Sequence, residues 1–181
     1  MPTTVQPQTF LRASAWAFLI GWGLHVIDHL HRGMSASPMF IMVGGMVQGV
    51  VVIIAITMTL RGHARAPEAA IFAGLGSALV FTYAHLLPNF WPAYQDSYLS
   101  GPRINVTWFS WVTALSEIGT GVIFAYAGMR AKTHDVRDVI AVARECSARS
   151  RVSPRPTIKL IANGAITSCR ARGSTLSLIH I

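Results

Sequence analysis

Four long apolar runs dominate the chain, and short polar connections separate them. A helix rises about 1.5 Å per residue, so 18 or more mostly apolar residues reach across about 30 Å of hydrocarbon. The runs predict helices over about 10–30, 39–60, 68–87 and 104–129. Breakers fall between them: Gly33 with Pro38, Gly62 with Pro67, and Pro88. Pro38 stands at a helix start, where its missing N–H costs nothing. The pattern gives an all-α fold, a four-transmembrane-helix, up-down-up-down bundle over residues 1–132. The first run is longer than the about 7–15 residues of a signal-peptide core, and it ends in His25, Asp28 and His29.

The longest connection, 89–103, carries Phe90, Trp91, Tyr94 and Tyr98 among prolines. Such rings favour the headgroup region, so the loop is expected to lie along the membrane surface. Asn105-Val106-Thr107 forms a sequon too close to the bilayer to read as a glycan site. Residues 133–181 change character and read as a basic cytoplasmic tail. His134–Ala148 has the pattern of a short amphipathic helix, and from Arg149 onward no period persists, which predicts disorder. The last six residues, Leu176 to Ile181, resemble the translation of a transposase sequencing-adapter end. That resemblance implies that residues after about 144 are read-through or a chimeric join, so no function is drawn from them.

Composition agrees with the pattern: 52% of residues are hydrophobic and 12% are charged, about half the charge of a soluble domain. Net charge is +8, with the tail holding most of the excess. Beside a membrane helix, this is the basic bias that sets orientation, and it gives no reason to expect nucleic acid. Arg12, Arg61, Arg65, Arg130, Lys132 and Arg137 fall on one side, and Arg32 and Arg103 on the other. Both termini are therefore expected in the cytoplasm of a cell with the bundle in its inner or plasma membrane. The two cysteines, Cys146 and Cys169, form no CxxC pair.

Ionisable residues within a bilayer are costly and tend to mark function. His25, Asp28, His29, His85 and Glu117 all fall inside predicted helices, while His31 lies at the water boundary. At about 100° per residue, His25, Asp28 and His29 share one face of the first helix with Ser14, Gly21 and Arg32. Gly74, Ser77, Ala78 and Thr82 gather around His85. Ser110, Thr113, Thr120, Gly121 and Gly128 gather around Glu117. Three polar or small faces should turn toward a common interior, with Gln48 and Glu117 beneath a histidine layer. Close packing is expected at Gly21, at Gly74 and at the GxxxG pair Gly45 and Gly49.

Histidines at i and i+4 can share one metal ion, His85 would supply a third ligand, and Asp28 could ligate or orient an imidazole. Two of these histidines could instead be axial ligands of haem b. There is no HExxH sequence and no series of histidine boxes, so neither zincin nor di-iron hydroxylase chemistry is supported. The leading expectation is a non-catalytic membrane subunit or scaffold, in which the cluster is a hydrogen-bonded packing network. A metal- or haem-binding protein and a proton-coupled carrier or channel subunit are the alternatives. Partners expected are lipid, a second copy of the chain or a larger membrane complex. The helix count and spacing over 10–130 resemble small, uncharacterised four-helix bacterial membrane proteins. That resemblance implies the architecture and assigns no activity.

Overall fold

The computed structural model describes residues 6–33, 35–152, 158–162, 165–172 and 175–180, with side chains described up to Arg144 except at 138 and 142. It divides into two compact units, Met1–Lys132 and Thr133–Ile181. The first is the expected bundle: α1 (Pro7–Arg32), α2 (Met39–Leu60), α3 (Ala66–Phe81) running into a π-helical turn (Thr82–Leu86), and α4 (Trp108–Val152), which continues past the unit's end. All four helices are long and apolar enough to cross a membrane.

Each helix stops for a local reason. Gly33 ends α1 at a φ of 94°, a conformation that favours a residue without Cβ. Leu87 is extended, as the residue before a proline must be. The predicted start of α4 at 104 moves to Trp108, because Asn105 is left-handed at φ 52°. Thr107 then caps the helix, its hydroxyl accepting from the Phe109 N–H at 3.2 Å.

The core of the bundle is a cluster of Leu11, Ala15, Phe18, Val52, Ala55, Phe124 and neighbouring alanines. Small residues let the helices close up. A Cβ on Gly74 would collide with the Gly121 carbonyl and approach the Ala125 amide to 2.8 Å, and one on Gly21 would meet Thr120 Oγ1 at 2.5 Å. These contacts run α4 antiparallel to both α1 and α3. Gly49 lies against the Trp22 ring, but Gly45 has open space around it. Of the GxxxG pair, expected to pack against a helix within the chain or in a dimer, Gly49 alone meets a helix of this chain among the described residues.

The tail makes up the second unit. Its described residues are helical to Val152 and then form an antiparallel meander: β1 (Ile158–Ala162), β2 (Ala165–Arg172) and β3 (Thr175–His180), in the order β1-β2-β3. The proposed origin of Leu176–Ile181 is a matter of coding sequence, on which the strand bears neither way.

Candidate metal centre

The loop between the π-helical turn and α4 has an exposed part and a buried part. Phe90, Trp91 and Tyr94 are exposed, whereas Gln95, Asp96, Ser97 and Tyr98 are buried. The cause is backbone chemistry. A helix ends with unpaired carbonyls, and inside a bilayer no water is present to satisfy them. The loop supplies the donors instead. Gln95 Nε2 donates to Tyr83 O at 3.0 Å, and Ser97 Oγ donates to Leu87 O at 2.6 Å. The Asp96 and Tyr98 amides donate to Ala84 O and His85 O at 3.0 and 2.9 Å. Residues 95–98 thus plug the end of the bundle.

The plug brings a charge pair with it. Arg32, 2% exposed, donates to both Asp96 oxygens at 2.7 and 2.9 Å and to Ile104 O at 3.0 Å. Its guanidinium also sits 5.2 Å from the centre of the Tyr98 ring. Burial by itself would raise the Asp96 carboxyl. Hydrogen bonds from Arg32 and Ser37, with the charge of Arg32, overcome this and hold it below the ordinary carboxylate value. Burial pushes the Tyr98 phenol upward, against the opposing charge of Arg32, so it stays neutral. Sequence reasoning placed Arg32 on the polar face of the first helix and among the flanking charges, and gave Asp96 and Ser37 no role. A lone arginine at the end of α1 and a lone aspartate in the longest loop were the available signals.

Immediately below the plug, the structure gathers His25, His29 and His85, with one nitrogen of each ring lying within 4.8 Å of the others. His25 and His85 are buried and His29 is half-buried. The i, i+4 pair comes from one face of α1, and the wide turn after α3 carries His85 onto the same buried face as Phe81. π-helical turns of this kind occur frequently at functional sites.

Hydrogen bonds set which ring nitrogens remain available. His85 Nδ1 faces the Asp96 carbonyl oxygen at 3.0 Å. That oxygen can only accept, so Nδ1 carries the proton and Nε2 holds the lone pair of the neutral ring. Ser37 commits its proton to Asp96 Oδ2 at 2.7 Å, so it accepts from His29 Nδ1 at 3.3 Å. His29 Nε2 is thereby left with a lone pair as well. His25 is the exception, since neither of its buried nitrogens has a hydrogen-bond partner among the described residues. An unsatisfied buried polar group costs about 1–3 kcal/mol, and the His25 ring packs against the rings of His29, Phe81 and His85.

Asp28 stands apart from this trio. It turns toward α4 and accepts from Ser110 Oγ at 2.8 Å, leaving Oδ2 without a hydrogen-bond partner among the described residues. It belongs to the polar interior but not to the set of converging ligand atoms. Gln48 Nε2 donates to Ser77 Oγ, Thr113 bonds back to Ser110 O at 3.1 Å, and Thr82 is half-buried in the π-helical turn. Glu117 is fully buried, with neither oxygen hydrogen-bonded among the described residues.

Three imidazoles that each offer one nitrogen, oriented by a second layer of hydrogen bonds, make a donor set for a borderline transition-metal ion. They do not fit haem. The His25 and His85 ring centres are 5.0 Å apart, and those of His29 and His85 are 5.8 Å apart. Rings in contact leave no gap for a porphyrin between them. No protein-family model, curated protein or solved structure matches the chain, so the site stands on its own geometry.

Proposed function

We propose that this is an integral membrane protein that holds one transition-metal ion on His25, His29 and His85 near one face of the bilayer. The observation that carries the reading is His25: a buried imidazole with two unpartnered nitrogens, set against two rings already oriented by their neighbours. A divalent ion would satisfy it, and three histidines leave a coordination position open, as catalytic and transport sites do. Ligand type favours zinc, copper, iron or nickel over calcium or magnesium. With basic flanks inside, the site lies toward the outer leaflet.

The test is metal analysis of protein purified without chelator. One equivalent of a transition metal is expected, lost in His25→Ala and His85→Ala while the helix content is kept. Metal-free protein that also fails to take up added zinc, copper or iron would overturn the reading. A second reading, a packing network in a membrane subunit, is favoured by Arg32, Asp96 and Ser37, which join α1, the α1–α2 turn and the plug. On that reading, Arg32→Ala lowers the melting temperature and the histidine variants remove no metal.

A further inference from the structure

Beside the histidine cluster lies a cavity of about 730 Å³, within the range of small-molecule sites. Its walls come from α1, α2 and the end of α3, and all three histidines reach it. The remainder is mostly apolar, with Trp22, Tyr83 and Tyr94 the other residues that carry polar side-chain atoms. Gly44, Gly45 and Gly49 line its α2 side, and Gly44 and Gly45 have open space where a side chain would stand. The space that a helix-packing GxxxG would close is here left empty.

The cavity also faces lipid. Several of its wall residues, among them Leu30, Phe40, Met46 and Val50, are exposed on the flanks of membrane-spanning helices. It extends along α2 from Phe40 to Ile54, about 21 Å at 1.5 Å per residue. A ligand entering from the bilayer would lay a chain along this length and bring its head to the histidines. Three neutral imidazoles leave a divalent ion with its full charge, which favours an anionic completing ligand, and a carboxylate oxygen is one that such ions take. The apolar walls offer little to any other polar group.

Resting on the metal-centre reading, we infer that the cavity takes a long single-chain amphiphile with an anionic oxygen head, drawn from the membrane and bound with that head on the metal. The chemical class is a long-chain carboxylate. The walls bind the chain, and the open coordination position selects the head.

The experiment uses the full chain in phosphatidylcholine nanodiscs loaded with Co²⁺, whose visible absorption reports its ligand set. Palmitate is expected to shift the Co²⁺ bands at concentrations at least ten times lower than acetate needs. Methyl palmitate, with the same chain and no anionic oxygen, should leave the bands unchanged. Gly45→Phe, and independently Gly44→Leu, should abolish the palmitate shift while preserving the Co²⁺ spectrum. Palmitate no better than acetate, an equal shift with methyl palmitate, or a full palmitate response in both variants would overturn the inference and leave the metal centre standing. Failure to bind Co²⁺ would remove the metal centre and the inference with it.

Discussion

Asp96 decides the geometry of the histidine layer, although it lies outside the membrane-spanning helices. Its side chain takes both guanidinium contacts and the Ser37 proton, and its carbonyl fixes His85. Removing one member of a buried ion pair typically costs about 3–5 kcal/mol, because the other charge stays buried and alone. Arg32→Ala should therefore lower the melting temperature strongly in detergent, and a change near zero would show that the pair is solvated. The pair also has a pH signature. Because the carboxyl of Asp96 lies below its ordinary 3.8 in the folded protein, its stabilisation is complete above that value. It is lost as pH falls through the lower, folded value. The stability gap between the native chain and Asp96→Asn should thus shrink as pH is taken from about 5 to about 2. A gap independent of pH would exclude a charged Asp96 as its source. The histidines were legible in the sequence because i, i+4 spacing fixes a helical face. Asp96 and Ser37 were not, because loop residues carry no period from which a direction can be read.

Glycines of one composition divide into two roles at the level of elements. Gly74 sits where α3 meets α4 backbone to backbone, so even a methyl group collides there. Gly74→Ala should destabilise by about 1–3 kcal/mol through overpacking. Gly45→Ala meets nothing and should stabilise by up to about 1 kcal/mol, since alanine is the better helix former. Thermal melts of the two variants must move in opposite directions, and a common loss would place Gly45 in an interface with a second copy. Both glycines fall at small-residue spacing in the sequence, and only the position of the neighbouring helix tells them apart. The π-helical turn was equally hidden, since a widened turn leaves the apolar pattern almost unchanged.

For the whole molecule, the count of spans is even, so the two ends of the bundle's chain emerge on one side. Reporter fusions at the N-terminus and after Lys132 should both be active in the cytoplasm, as the basic flanks predict, and activity at only one would break the four-span topology. A chain ending at Arg144 should keep the melting transition and metal content of the full chain, because the bundle's compact unit closes at Lys132. A lowered transition would give the later residues a structural part. Hydrophobicity along the chain determined the four helices, and their limits to within a few residues except at the end of α4, which runs on to Val152, because the cost of exposing backbone to hydrocarbon leaves few other solutions. Helical spacing likewise determined that His25 and His29 share a face. What the tertiary structure alone decided was the company they keep: His85 swung in by a widened turn, a loop drawn inward by unpaired carbonyls, and an open wall beside α2. Contacts of the polar interior join residues up to 82 positions apart, and no local pattern encodes which distant groups will meet.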